Sequence, residues 1–144
     1  MQLFNECLDL RKQITTLTEQ LYEIQSVLSS PKNQVITGMP KGKGGESSGF
    51  DRLIDRKDLL QEKKEKAENL LCSKWREANK VLIKAGANAT DRELMCYRFY
   101  GGFPWKQCTK IMQRKYGSTW NENKVFRVYR CTMDAVQRAI YDIA

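Results

Sequence analysis

Apolar residues recur through the first thirty positions at alternating intervals of four and three: Leu3, Cys7, Leu10, Ile14, Leu17, Leu21, Ile24 and Leu28. With Leu3 at d, the a positions are Cys7, Ile14, Leu21 and Leu28, and the remaining d positions are Leu10, Leu17 and Ile24. Such a repeat predicts a helix whose narrow seam meets another helix, within the chain or across two chains. Ser29-Ser30-Pro31 ends it, because proline lacks an amide donor and disfavours helix at the residue before it. Residues 30–49 then predict a flexible linker: five of the twelve residues from Gly38 to Gly49 are glycine, interleaved with Pro40, Lys41, Lys43, Ser47 and Ser48.

From Phe50 to about Ala85 the pattern predicts a second long helix, with apolar positions at Leu53, Ile54, Leu60, Ala67, Leu70, Leu71, Trp75, Ala78, Val81 and Leu82. Gln61 to Glu68 is nearly all charged and predicts a solvated face. Two long helices joined by a linker suggest an antiparallel hairpin. Gly86, followed by Ala87-Asn88-Ala89, predicts a helix stop and a hinge.

The texture changes at Thr90. Thr90-Asp91-Arg92-Glu93 has the spacing of a capping box, and the helix it opens carries Leu94, Met95, Tyr97, Arg98, Phe99 and Tyr100. Gly101-Gly102 stops that helix. Pro104 suits the first turn of the next, which sets Trp105, Cys108, Ile111 and Met112 on one face and ends at Gly117. After Ser118-Thr119-Trp120, a last helix begins near Asn121. Its inward stripe is Val125, Val128, Thr132, Val136 and Ile140, with Tyr129 beside it. Trp105 and Trp120 are expected to anchor the core. The fold class expected is therefore all-α: an N-terminal long helical hairpin or coiled coil, then a C-terminal helix-turn-helix. The segments are 1–29, 30–49, 50–86 and 87–144.

Charge sharpens this picture. The chain of 144 residues carries 25 Lys/Arg against 17 Asp/Glu, a formal net charge of +8. Residues 90–144 hold ten basic against five acidic, and residues 1–89 hold fifteen against twelve. The surplus is densest where the short middle helix and tight turn lie, which is where phosphate contacts are to be sought. A merely solvated basic surface is the plain alternative.

In a helix-turn-helix the N-terminal half of the last helix enters the major groove. The residues facing away from the core there are Glu122, Asn123, Lys124, Phe126, Arg127 and Arg130. Asparagine reads adenine, Arg and Lys read guanine, Glu accepts from cytosine, and an aromatic edge touches the thymine methyl. Thr119 and Asn121 in the turn join the predicted contact set. So do Lys106, Lys110, Arg114 and Lys115 on or after the preceding helix, where backbone contacts are common.

Other chemistry finds little support. There is no histidine, so no Ser-His or Cys-His pair, no His base and no Cys/His zinc site is available. Cys7, Cys72, Cys96, Cys108 and Cys131 show no C-x-x-C spacing and read as buried or half-buried thiols in a reducing cytosol. Gly38-Met-Pro-Lys-Gly-Lys43-Gly fails the Walker spacing and follows no strand. Lys32, Lys41 and Lys43 there are suited only to non-specific backbone contact. No cofactor, no metal and no enzyme activity are expected. The apolar runs are too short to cross a membrane, and Met1 to Arg11 has no signal-peptide pattern.

Thr90-Asp-Arg-Glu-Leu-Met-Cys-Tyr-Arg-Phe-Tyr-Gly-Gly resembles the opening of sigma-factor region 4. Asn121-Glu-Asn-Lys-Val125-Phe-Arg-Val-Tyr-Arg resembles its recognition helix, with Val125 at the usual aliphatic position. The layout is similar to that of small prophage-encoded regulators of Gram-positive bacteria, the RinA/ArpU-like group and its relatives. The motif-level match covers about 90–140. Three differences stand out: Phe126 replaces a polar residue, the turn from Gly117 to Asn121 is longer than Gly-x-Ser, and Trp105-Lys-Gln-Cys108 replaces the common Glu-Ile-Ala.

The resemblance implies sequence-specific binding to double-stranded DNA and control of late phage transcription in the cytoplasm of a bacterial host. RNA polymerase is implied as a second partner, and the N-terminal helices are expected to form a homo-oligomer, a dimer in the first instance. Two competing expectations are a small terminase-like subunit for DNA packaging and a coiled-coil adaptor with no nucleic-acid role.

Overall fold

A computed structural model describes residues 2–29 and 48–143. Among these residues every regular element is helical: α1 (Gln2–Leu28), α2 (Ser48–Lys84), α3 (Ala89–Met95), a π-helical segment (Cys96–Tyr100), α4 (Trp105–Tyr116) and α5 (Glu122–Ile143). No described helix is long and apolar enough to cross a membrane. The expected linker lies outside the described residues except at its end, where Ser48 and Gly49 are already helical.

Two compact units divide the chain. One gathers Met1–Lys12 with Asn69–Ala144, and the other is Gln13–Glu68. Each long helix therefore contributes to both.

In the Gln13–Glu68 unit, the heptad seam of α1 supplies buried Ile14 and Ile24, with Leu17, Leu21 and Leu28 half-buried. The matching stripe of α2 is Leu53, Lys57, Leu60, Lys64 and Ala67, of which Leu60 and Ala67 are buried. Gln61 to Glu68 is thus not wholly a solvated face. Ala67 is buried within it, and Lys64 is half-buried, as expected of a lysine that lays its methylene stem on apolar surface and keeps its ammonium in water.

In the larger unit the start of α1 lies against the second half of α2. Phe4 is 1% exposed, more deeply buried than Leu3, the heptad position beside it. Its ring meets Trp75 edge-on at 6.3 Å and Phe99 at 5.3 Å. Lys74 donates to Glu6 at 2.7 Å, which holds the Glu6 carboxyl below its ordinary value. Helix α2 closes in a Schellman motif about Gly86 (φ 89): Ala87 N–H bonds the Leu82 carbonyl and Gly86 N–H bonds that of Ile83, both at 3.0 Å.

Helix α3 starts at Asn88, not at Thr90. The Asn88 side chain accepts from the Asp91 amide at 2.8 Å, so the capping box is displaced by an earlier asparagine cap, and Glu93 is released for other contacts. The helix then widens: Gly101 N–H reaches the Cys96 carbonyl at 2.9 Å. Arg11 Nε donates to the Tyr100 carbonyl at 2.7 Å, satisfying an orphan acceptor at the helix end, and its guanidinium lies 5.4 Å from the Tyr100 ring centroid. Gly102 has φ 74, and a Cβ there would overlap Arg11 Cγ, so both conformation and space demand glycine.

Helices α3 and α4 both pack on α5. Leu94, Cys108, Met112, Trp120 and Val125 form their buried core, with Tyr97, Phe103, Trp105 and Val128 packed against it. Trp120 is thus a core residue, and Trp105 is half-buried at the core's edge. Along α5, Thr132, Met133 and Val136 continue the buried stripe, but Ile140 is 42% exposed, because it lies one turn past the last buried layer. Cys131 is exposed as well, contrary to the expectation of buried thiols. Cys7 and Cys108 are buried, and burial pushes both thiols up to about 11.

Candidate nucleic-acid interface

The candidate surface is the first half of α5 with the turn before it and the exposed side of α4. The turn is pinned from inside. Trp120 N–H bonds the Gly117 carbonyl at 3.2 Å and Asn121 N–H bonds that of Thr119 at 3.0 Å, which leaves the Thr119 side chain exposed. Asn121 Oδ1 accepts from the Lys124 amide at 2.9 Å, and its carbonyl accepts from Val125 N–H at 3.0 Å. Asn121 is therefore the helix cap. Its side-chain oxygen, expected to meet a base, is committed to starting α5.

With Val125 buried, helical periodicity turns Asn123, Phe126, Arg127 and Arg130 outward, and all four are exposed. Glu122 is exposed in the first turn, where the helix dipole favours a carboxylate. Lys124 departs from the expected outward set. It is half-buried, with Nζ 4.3 Å from the ring centroid of Trp120, so its charge sits on the flank against the core's aromatic face. Nearby, burial raises the Asp91 carboxyl while the charge of Lys124 pulls it the other way. Exposed Asp134, one turn beyond Arg130, ends the basic stretch.

Phe126 is 45% exposed, an apolar ring on an otherwise polar face. Its position is held from α4: the Trp105 ring lies 5.8 Å away, and Trp105 in turn meets Tyr129 edge-on at 4.7 Å and carries the Arg98 guanidinium at 5.0 Å. Arg98 is itself tied to the Phe103 carbonyl at 3.1 Å. Periodicity could not have found this support, because Trp105 and Phe126 lie on different helices.

Lys106, Lys110 and Arg114 are exposed on α4. Lys115 is not comparably available. It binds Glu93 at 3.0 Å and the Tyr97 hydroxyl at 3.1 Å, and Tyr116 donates to the same carboxylate at 2.9 Å. Burial alone would raise the Glu93 carboxyl, but the bonds from Lys115 and Tyr116 outweigh it and hold the group below its ordinary value. The same network raises Lys115 and Tyr116. The pair fastens the end of α4 to α3.

The face thus offers permanent cations, one amide, one carboxylate and one aromatic ring. Those groups suit a partner that presents phosphates and flat polar edges. Among the described residues no three cysteine or carboxylate side chains gather where a metal ion could bind. Comparison of the chain with family models, curated proteins and solved structures finds no match.

Proposed function

We propose that this chain is a sequence-specific double-stranded DNA-binding protein, a phage-type transcriptional regulator of late phage genes, whose α4 and α5 act as a sigma region 4-like helix-turn-helix. The observation that carries the reading is the outward row Asn123, Phe126, Arg127 and Arg130 on an N-capped helix, flanked by exposed Lys106, Lys110 and Arg114. On this reading α5 lies in the major groove, Asn123 and Arg127 meet base edges, Arg130 and the α4 cations meet phosphates, and Lys124 adds charge from the flank. Thr119 at the turn and Glu122 in the first turn complete the contact set.

Helices α1 and α2 form an antiparallel hairpin that brings two copies together. Exposed Tyr22 and Leu59 of the Gln13–Glu68 unit are apolar surface available to that role. A two-fold dimer would set two α5 helices on half-sites about one DNA turn apart. RNA polymerase is a second partner by analogy with region 4, and the bacterial cytoplasm is the setting.

The double substitution Asn123→Ala plus Arg127→Ala tests the assignment. It is expected to abolish preference among duplexes while leaving helicity and oligomer size unchanged. Unaltered selective binding would refute the role given to α5.

A further inference from the structure

Resting on the DNA-binding reading above, we propose that Phe126, seated on Trp105, recognises the 5-methyl group of thymine, so that the bound site contains a thymine at the position Phe126 faces. Apolar side chains exposed singly on a surface are ordinary. Phe126 differs in where it stands. It projects between Asn123 and Arg130 beside the exposed guanidinium of Arg127, one turn after the exposed carboxylate of Glu122 and two turns before Asp134. A protein surface built only to attract phosphate gains nothing from an aromatic ring there.

The ring is also held in place. Trp105 fixes one side of it, Tyr129 and Arg98 fix Trp105, and the Phe103 carbonyl fixes Arg98. Little rotamer freedom remains to be lost when a partner covers the exposed edge. The partner must be apolar where it meets Phe126 and anionic or polar around it. A major groove meets both demands at one kind of base pair: thymine alone places a methyl group on the groove floor, between acceptor edges and flanking phosphates. Phosphates and the guanine edge offer the ring nothing apolar, and cytosine presents only a C5–H where thymine carries its methyl.

The test uses the full-length protein and duplexes enriched by it from a random pool, resynthesised with deoxyuridine at each thymine in turn. Removing the methyl leaves every hydrogen-bonding group of the base in place. At one thymine per half-site the native protein is expected to lose affinity about fourfold, the worth of one buried methyl-sized group. Phe126→Ala should bind the thymine duplex more weakly, by at least that factor, and should be indifferent to the exchange. Because Phe126 is 45% exposed and packs mainly on Trp105, its removal should lower the thermal midpoint only modestly, without loss of cooperative unfolding.

A native protein insensitive to deoxyuridine everywhere would overturn the proposal while leaving DNA binding intact. So would a Phe126→Ala variant that remains as sensitive as the native protein. Retention of no duplex at low salt would overturn both readings and would make the aromatic pair a contact for another protein.

Discussion

The Gln13–Glu68 unit and the segment from Asn88 onward reach order by different means. The first relies on a repeat: aliphatic residues of α1 facing an α2 stripe in which Lys57 and Lys64 alternate with Leu53, Leu60 and Ala67. Its burial is spread thinly along two helices. The second is short-ranged and particular. An asparagine starts each of α3 and α5, a left-handed glycine follows the π-helical turn, Glu93 ties α4 to α3, and tryptophan sits in the core. Repeated seams tolerate substitution and suit association. A recognition surface requires that a few side chains be held in one arrangement, and the supporting contacts gather where that is needed.

The widest separation between the two regions is expected from truncation. Trp120→Ala should cost about 3–5 kcal/mol, the usual range for a buried aromatic, and Leu17→Ala, at a half-buried seam position, about 1 kcal/mol. Urea denaturation of the two variants measures both, and equal losses would erase the contrast. Glycine comes next. Gly102→Ala combines a left-handed backbone with collision against Arg11 and should cost about 2 kcal/mol or more. Gly86→Ala shares the backbone problem but meets open space, and should cost about 1 kcal/mol. Thermal melts that rank the pair the other way would show that Arg11 yields freely. Comparable to Gly86→Ala is Asn121→Ala, at about 1 kcal/mol for a lost helix cap.

The smallest effect is one of pH. The Glu93 carboxyl is lowered in the folded protein, so its bonds stabilise the fold above the ordinary glutamate range. That contribution fades as pH falls through the folded value, where the carboxylate takes up its proton. Glu93→Gln should therefore melt earlier than the native protein at pH 7, by a gap that is narrower at pH 3. A constant gap at both pH values would mean that the network acts through packing and not through charge.

Much of this architecture was legible in the chain. Helical periodicity marked all of the long helices and turned Asn123, Phe126, Arg127 and Arg130 to the outside. What escaped was whatever depends on a neighbour from another element. Phe4 is buried because Trp75 and Phe99 meet it, which a heptad register beginning at Leu3 does not reveal. Lysines at Lys57 and Lys64 concealed the α2 stripe, since hydrophobicity alone ignores their aliphatic stems. The capping spacing at Thr90 and Glu93 was genuine, but Asn88 made a cap earlier and Lys115 and Tyr116 took the carboxylate. Lys124 and Lys115 looked available as charges, and each is engaged by an aromatic or an acid from elsewhere in the fold.

Equilibrium binding of the protein, across a range of salt, to random duplex and to fragments from its own genomic neighbourhood separates a DNA-reading surface from a merely solvated one. Affinity is expected to fall steeply with salt, as phosphate contacts release counterions, with a subset of fragments held more tightly at every salt concentration. No retention of duplex even at low salt would contradict the DNA-binding reading.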